Sequence, residues 1–248
     1  MPIVTLITDF GTQDGYVGAM KGVILSLSPR TRIVDIAHDV PREDVAHGAV
    51  VLAQAAAYYP KGTVHVVVVD PGVGGKRRGV VVDDGRHLFV GPDNGVFSLA
   101  VPAPRAAYEI ASPKFRSKEV CPTFHGRDVF SPAAARLASG AKPSDAGPAV
   151  TLLCRLARPQ RGQGAGRVIH VDRFGNLVTD IPGHRLGSIQ NVRALRVSWP
   201  VCRTFEDVAR GARVAYIGSM GTLELAVRDG SAARAYKPAR GARVAFVK

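Results

Sequence analysis

Acidic side chains follow the first apolar stretch of the chain in a pattern that could bind a ligand. Asp9 and Asp14 stand five residues apart, where a strand-like stretch gives way to a helix-like one. Ligands of open α/β sheets bind outside the carboxyl ends of strands. Two carboxylates there could hold a metal ion, or could bind a ribose diol and an ammonium group. The simpler interpretation is that Asp14 caps a helix and Asp9 is a turn residue.

A glycine-rich segment, Asp70–Arg78, follows the most apolar of the predicted strands. Its glycines would allow the backbone to approach a ligand closely, and Asp70 could pair with Arg77. The segment is not a Walker A loop, because Arg77 rather than Ser or Thr follows Lys76, and it is not a GxGxxG motif. The alternative is a salt bridge that only pins the loop.

Four further segments carry polar groups. His125 lies in PTFHGRD, just ahead of a predicted helix, where it could act as a general base, although isolated histidines are more often structural. DRFGN at Asp172–Asn176, GSMGTLE at Gly218–Glu224 and DGSAA at Asp229–Ala233 either bind a ligand or only shape turns.

The first half of the chain alternates between strand-like and helix-like patterns, and these elements must position the segments that carry Asp9, Asp70 and His125. Strands are predicted over 3–8, 32–36 and 65–69, and helices over 16–27 and from an Asp44 N-cap to about Tyr58. This alternation implies a parallel sheet with right-handed crossovers. Strands over 79–82 and 87–90 flank Asp84-Gly85, which is typical of a hairpin, and a helix is predicted over 128–138.

The composition and the predicted secondary structure change after residue 157. Residues 158–166 are rich in Gly, Gln, Arg and Pro, as linkers are. Short strands are predicted beyond them, over 168–171, 177–179, 194–197, 213–217 and 223–227. We therefore predict an α/β protein: an N-terminal α/β domain with a mainly parallel sheet (1–157), a linker (158–166) and a small C-terminal β-barrel-like domain (167–248).

Composition excludes several classes of protein. The 248 residues are 46% hydrophobic and 21% charged, which fits a globular protein, and no apolar run approaches the ~20 residues of a membrane span. Three scattered cysteines form no CxxC pair, which argues against a zinc site and favours a cytoplasmic protein. The N-terminus has no basic region or cleavage site, so no signal peptide is expected.

The net charge is +13. Most of the excess lies from Arg158 onward, where the chain has 16 Lys and Arg but only 6 Asp and Glu. A polyanion-binding face is one interpretation, and a compositional preference for Arg is the other. The arginines are spread singly, without interleaved aromatic residues, so we expect no nucleic-acid partner.

Taken together and in this order, the segments resemble the S-adenosylmethionine hydroxide adenosyltransferase family, relatives of the fluorinase and chlorinase. The matching segments span nearly the whole chain: ITDFGTQDGYVGAMKG, DIAHDV, VVDPGVGGKRR, GPDNG, PTFHGRD, DRFGNLVTDI and GSMGTLELA. The resemblance implies hydrolysis of S-adenosyl-L-methionine to adenosine and L-methionine, by attack of water or hydroxide at ribose C5′. It also implies no cofactor, no metal, and a homotrimer with its sites between subunits.

The resemblance also assigns roles to individual residues. Catalysis falls on Asp70, Arg77 and His125, and ribose binding on Asp9. Contacts with the methionine end fall on Asp14, Asp172 and Ser219, and adenine contacts on Phe174, Asn176 and the backbone around Ala232.

The chain departs from its halogenating relatives in ways that bear on these roles. Asp70 and His125 stand where halogenases have other residue types, and only four residues, 83–86, stand where halogenases have a long insert. Both differences favour water rather than a halide ion as the nucleophile. Met220 replaces an arginine near the methionine carboxylate, and Arg42-Glu43 align where relatives often have an aromatic residue.

Two other functions fit parts of the pattern. A metal-dependent nucleoside or phosphate hydrolase could gather Asp9, Asp14, Asp70 and Asp93 around Ca²⁺ or Mg²⁺, since these ions prefer oxygen ligands. A non-catalytic protein could bind adenosine with the same residues and turn over nothing.

Overall fold

The computed structural model describes residues 1–152, 165–239 and 241–246. The chain divides into two compact units, Met1–Leu156 and Ala157–Lys248. Of the predicted linker, residues 158–164 lie outside the described residues, and Ala165 and Gly166 belong to the first strand of the second unit. Within the described ranges, no helix is both long enough and apolar enough to cross a bilayer.

The first unit is an α/β sandwich around a six-stranded sheet. Its strands are β1 (Ile3–Thr8), β2 (Arg32–Ala37), β3 (Val64–Val68), β4 (Gly79–Asp83), β5 (Leu88–Pro92) and β6 (Ala106–Glu109). Its helices are α1 (Tyr16–Leu27), α2 (Val45–Ala56) and α3 (Ser131–Ala138), with a π-helical turn at Gly126–Phe130 and 3₁₀ turns at Pro113–Phe115 and Pro143–Ala146.

The strand order is β2-β1-β3-β5-β4-β6. The pairs β1–β2, β1–β3 and β3–β5 are parallel, whereas β4 runs antiparallel to both of its neighbours. The sheet is therefore mixed, with its parallel part in the first three pairings. The predicted hairpin is confirmed, because β4 and β5 pair antiparallel across Asp84-Gly85.

Alternate side chains of the central strands build two apolar layers. Val4 and Leu6 of β1 pack with α1 and α3, and Ile7 packs on the opposite face with α2. All five residues of β3 are buried, as expected for a strand covered on both faces. Asp44 accepts a hydrogen bond from the His47 N–H at 2.8 Å, so the predicted cap of α2 is confirmed.

The second unit is a seven-stranded antiparallel sheet in the order β10-β9-β13-β7-β8-β12-β11. Its strands are β7 (Ala165–Val171), β8 (Leu177–Pro182), β9 (Asn191–Ala194), β10 (Val197–Pro200), β11 (Arg213–Ile217), β12 (Thr222–Val227) and β13 (Arg243–Phe246). It also has α4 (Ala232–Tyr236) and 3₁₀ turns at Gly183–Arg185 and Phe205–Asp207. A bridge from Val201 to Ala215 brings the two edge strands together, so the sheet is nearly closed and barrel-like.

One prediction about the elements is wrong. The strand expected over 194–197 is instead a hairpin turn, because Leu195 and Arg196 both adopt left-handed backbone conformations, as a type I′ turn requires. The helix predicted over 128–138 is confirmed: residues 128–130 belong to the π-helical turn, and Ser131–Ala138 are α-helical. In addition, β6, β13 and α4 were not predicted, and neither were β9 and β10, the two strands that flank the Leu195-Arg196 turn.

Candidate active site

The carboxyl ends of β1 and β3 meet at one edge of the first sheet. Thr8, the last residue of β1, pairs with Val68, the last residue of β3. The loops that follow these strands therefore start side by side, and they carry Asp9 and Asp70. A cavity of about 280 Å³ opens there, lined by Asp9, Phe10, Arg42, Glu43, Val68, Asp70, Val73, Thr123, Phe124, His125 and Gly126.

Asp70 and Arg77 form a two-point ion pair. Arg77 Nε donates to Asp70 Oδ1 at 2.8 Å, and Arg77 Nη2 donates to Oδ2. Both side chains are largely buried, with 5% of Asp70 and 11% of Arg77 exposed. The guanidinium also lies 5.4 Å from the ring centroid of Phe130. The salt bridge that would pin the glycine-rich loop is thus present, and its carboxylate also faces the cavity.

Gly74 fixes the position of this loop. Its φ is +75°, and a Cβ there would lie 2.6 Å from the Pro122 carbonyl oxygen. Only glycine adopts this backbone conformation at such a close approach without strain. The contact holds the Asp70–Arg78 loop against the segment that leads to His125.

His125 completes a three-residue unit. Its Nδ1 lies 2.8 Å from Arg77 Nη2. Because a guanidinium only donates hydrogen bonds, Nδ1 must accept, and the imidazole proton resides on Nε2. Burial, and then the charge of Arg77, hold the pKa of His125 below its usual range. The two protons of Arg77 Nη2 can serve Asp70 and His125 at the same time, and His125 is neutral at neutral pH.

Asp9 is oriented by the backbone of the β2–α2 connection. Its Oδ2 accepts a hydrogen bond from the Glu43 N–H at 2.8 Å. Glu43 has a φ of +62°, which is unusual for a residue other than glycine. Burial raises the pKa of Asp9, although the Glu43 N–H opposes the rise. One carboxylate oxygen is thus held by the backbone of another loop, and Asp9 lines the cavity.

Aromatic rings form the apolar wall of the cavity. The rings of Phe10 and Phe124 meet edge to face with centroids 6.0 Å apart, and Tyr16 packs against both. The Arg127 guanidinium lies 5.0 Å from the centroid of Phe124 on this wall. Such a wall suits a flat, partly apolar ligand or a cationic group.

Asp14 lies apart from this cavity. It is exposed in the loop before α1 and is not among the lining residues. It does not cap the helix either, because Gly15 is the N-cap residue and no side chain makes the capping hydrogen bond. The capping interpretation of Asp14 is therefore wrong.

In the second unit, Asp172 and Asn176 close the turn between β7 and β8. Asn176 donates to Asp172 from its backbone N–H at 2.8 Å and from Nδ2 at 2.9 Å. Gly175 packs so closely on Ser231 that a Cβ would overlap its hydroxyl, and its carbonyl accepts from the Ala233 N–H at 2.9 Å. The turn thus joins the start of α4, beside the buried Ala232, and leaves Phe174 76% exposed.

Ser219 lies exposed in the turn between β11 and β12. Beneath that turn, the buried Glu224 carboxylate accepts from the Tyr216 hydroxyl at 2.7 Å, and a Cβ at Gly218 would overlap it. Burial raises the pKa of Glu224, and the negative charge of Asp172 adds to the rise. Sequence reasoning gave Glu224 no role of its own, since neither the turn-like segment nor the predicted strand that contains it marks a buried carboxylate.

The four carboxylates considered as a metal site are not gathered together. Of Asp9, Asp14, Asp70 and Asp93, only Asp9 and Asp70 line the cavity, and Asp93 pairs with Arg78 at 2.7 Å. In the part of the chain that the structure describes, no three His, Cys, Asp or Glu side chains are grouped as metal ligands. The cavity residues that sequence reasoning did not assign to the site are chiefly Phe10, Val73, Thr123 and Phe124, which lie beside predicted residues but carry no chemical signal of their own.

Both units of the chain match models of one protein family. Residues 4–147 match the model of the SAM hydroxide adenosyltransferase N-terminal domain, and residues 166–245 match that of the C-terminal domain. The chain is 44% identical over 243 residues to (R)-S-adenosyl-L-methionine hydrolase of Thermus thermophilus, covering 94% of each chain. It is 28% identical to a fluorinase of Actinoplanes sp., covering 100% of this chain and 98% of that one. An uncharacterized conserved protein from Thermotoga maritima superposes with a TM-score of 0.91 at 32% identity, covering 98% of this chain and all of the other.

Proposed function

Because the chain belongs to the SAM hydroxide adenosyltransferase family, we propose that it hydrolyses S-adenosyl-L-methionine to adenosine and L-methionine. The observation that carries the proposal is that Asp9, Asp70 and His125 line one cavity, with Arg77 bonded to two of them. The name of the Thermus relative specifies the (R) compound, so we propose the (R) epimer at sulfur as the substrate.

The leaving group of this reaction needs no general acid, because it departs as a neutral thioether. A water oxygen forms a bond to C5′ of the ribose while the C5′–S bond breaks. The electron pair of that bond goes to sulfur, and the sulfonium leaves as the neutral thioether of methionine. The protein must hold the water in line with C5′ and accept its proton. Orientation alone can remove about 7–11 kcal/mol of the barrier.

We propose that Asp70 is the proton acceptor. The Nδ1 atom of His125 is occupied by Arg77, and its Nε2 carries a proton, so the neutral imidazole can donate to the water oxygen but cannot take its proton. Asp70 is a carboxylate that lines the cavity and keeps lone pairs beyond its two bonds to Arg77. His125 would then hold the water, and Asp70 would remove its proton.

Arg77 has a double role in this proposal. Its fixed positive charge favours hydroxide over water next to Asp70. The same charge would repel the sulfonium, and the Asp70 carboxylate offsets it because the two groups form a buried, two-point pair. Arg77 is 11% exposed, so this compensation does not depend on counterions from solvent.

We propose that Asp9 binds the ribose diol and that Phe10 and Phe124 form the apolar wall beside it. A carboxylate that accepts from both hydroxyls makes a specific two-point contact. By family resemblance we further propose that Asp14, Asp172 and Ser219 contact the methionine end. Phe174, Asn176 and Ala232 are proposed in the same way to contact adenine.

Three further proposals rest on the resemblance and on composition. The active form is proposed to be a homotrimer with sites between subunits, which light scattering after size exclusion would test. The reaction is proposed to need neither cofactor nor metal. A cytoplasmic location is proposed because the chain has few, scattered cysteines.

The direct test incubates the purified protein with the separated (R) and (S) epimers in EDTA, with and without chloride. We expect adenosine and methionine from the (R) epimer, and no chlorinated nucleoside. Release of bound adenosine on denaturation, without turnover, would favour the non-catalytic alternative. Turnover that EDTA abolishes would favour the metal-dependent one.

A further inference from the structure

His38 lies directly behind the loop that carries Asp9. Its Nδ1 is 2.9 Å from the Thr8 hydroxyl oxygen, and its carbonyl oxygen accepts a hydrogen bond from the Gly11 N–H at 2.7 Å. These two contacts bracket Asp9 and Phe10, both of which line the cavity. A single residue thus holds the loop on either side of the ribose-binding carboxylate.

The Thr8 hydroxyl links the His38 imidazole to the backbone of Phe10. The Phe10 N–H donates to the Thr8 oxygen at 3.3 Å. If the Thr8 hydroxyl proton points to His38 Nδ1, that oxygen keeps its lone pairs for Phe10, and the imidazole proton lies on Nε2. Nε2 faces the Asp35 carboxylate at 3.0 Å, and Lys21 Nζ contacts the other Asp35 oxygen at 2.5 Å.

The His38 side chain is buried, whereas the ion pair on its outer side is partly exposed to solvent. Only 6% of the His38 side chain is exposed, whereas 42% of Asp35 and 34% of Lys21 are. The imidazole therefore has the Asp35–Lys21 ion pair on its outer side and contacts Thr8 on its inner side. With the Glu43 N–H on Asp9 Oδ2, the β2–α2 connection bonds to residues 8, 9 and 11.

We infer that His38 is a positioning residue that aims the Asp9 carboxylate at the two ribose hydroxyls. The inference rests on the proposed function, since it assumes that Asp9 binds the ribose. His38 does not line the cavity, so it acts through Thr8 and Gly11 rather than on the substrate. Its effect should appear as lost discrimination between ligands that differ at the ribose diol.

The chain offers a matched control on the same strand. Thr5 and His65 form a second Thr–His pair, with Thr5 Oγ1 2.7 Å from His65 Nδ1. Both residues are fully buried, and neither lines the cavity. Removing this pair should weaken packing as much as removing the Thr8–His38 pair does, without moving Asp9.

The test measures the affinities of adenosine and 2′-deoxyadenosine by calorimetry. The proteins are wild type, His38→Leu, His38→Asn, Thr8→Val and the controls His65→Leu and Thr5→Val. We expect wild type to prefer adenosine, and His38→Leu to lower this preference about tenfold, as misalignment of a hydrogen bond to a charged group would. His38→Asn should restore part of it, because the Asn side-chain oxygen can stand near the position of Nδ1.

The outcomes separate the inference from the proposed function. A folded His38→Leu protein that keeps the wild-type preference would overturn the inference, and so would an equal loss of preference in His65→Leu. Wild type that binds no adenosine would overturn the proposed function and, with it, the role of Asp9. If His38→Leu fails to fold, judged by its urea midpoint, Thr8→Val decides the question through the same ratio.

Discussion

The backbone N–H of Glu43 donates to Oδ2 of Asp9 at 2.8 Å, across two different loops. The backbone of Glu43 is left-handed at this position, with a φ of +62°. This strained backbone conformation therefore occurs at a residue of the candidate site, which agrees with the clustering of such conformations at functional sites. The β2–α2 connection also contributes Arg42 and Glu43 to the lining of the cavity.

Two substitutions of Glu43 distinguish the contribution of its backbone N–H from that of its side chain. Glu43→Gly keeps the donor and suits the left-handed conformation, so adenosine affinity should stay within about threefold of wild type. Glu43→Pro removes the donor and forces a negative φ, so affinity should fall at least about tenfold. Calorimetry with adenosine checks both. Equal affinities for the two variants would show that the Asp9–Glu43 bond is unimportant.

Asp9→Asn should stabilise the fold while it weakens binding. Burial raises the pKa of Asp9, so its contribution to stability is largest below the unfolded pKa and falls as pH rises through the folded pKa. The charged form is thus unfavourable at neutral pH, and Asn removes that charge. Urea unfolding at pH 4 and pH 7 should show a larger gain at pH 7. A loss of stability at pH 7 would contradict the prediction.

The pH dependence of turnover should reflect a neutral His125. Burial and the charge of Arg77 lower its pKa, so the acid limb of kcat/KM should have a midpoint below about 6.5, the usual histidine value. Protonation would force two donors, His125 Nδ1 and Arg77 Nη2, against each other. A pH–rate profile checks this, with His125→Gln as the comparison. An acid limb centred above 6.5 would count against the assignment.

Replacing Asp70 and His125 should have unequal effects on kcat. Asp70→Ala removes the proposed proton acceptor and should lower kcat by at least about 100-fold. His125→Gln keeps a donor for the water and should lower kcat by only about tenfold. Steady-state kinetics on the (R) epimer tests the order. The reverse order would make His125 the base.

Gly74→Ala should damage both stability and turnover. A Cβ there would meet the Pro122 carbonyl, in addition to the cost of a positive φ. We expect a loss of about 1–3 kcal/mol in unfolding free energy, with a reduced kcat because the Asp70 loop moves from His125. Gly140→Ala is the matched control, because its φ is +94° and nothing lies within 4 Å of its Cβ. Equal losses would mean that the clash is absent.

The sequence predicted much of the first unit because its signals are local. Tyr16–Leu27 was predicted with the observed bounds, since Pro29 and the apolar spacing both mark it. The Asp44 cap was predicted from one side chain at one position. By contrast, Gly126–Phe130 opens as a π-helical turn, which no residue type in that segment requires.

The site is less predictable than the elements because it depends on side chains that are distant in the sequence. Asp70 and Arg77 could be paired from their spacing, but the bond from Arg77 to His125 spans 48 residues. The role of Glu43 could not be predicted, since its left-handed backbone is unusual for glutamate and follows from its surroundings. In the second unit, the left-handed pair Leu195-Arg196 carries no Gly or Asn signal, which is why a strand was predicted there.

The position of β1 in the sheet has a consequence for the order of folding. β1 lies between β2 and β3, although it comes first in the chain. During synthesis it therefore remains half-paired until residues 64–68 are available, and His125 joins later still. Pairings between distant segments form slowly. The cavity of the candidate active site is thus expected to be among the last parts of the first unit to become resistant to hydrogen exchange during refolding, after the local β4–β5 hairpin.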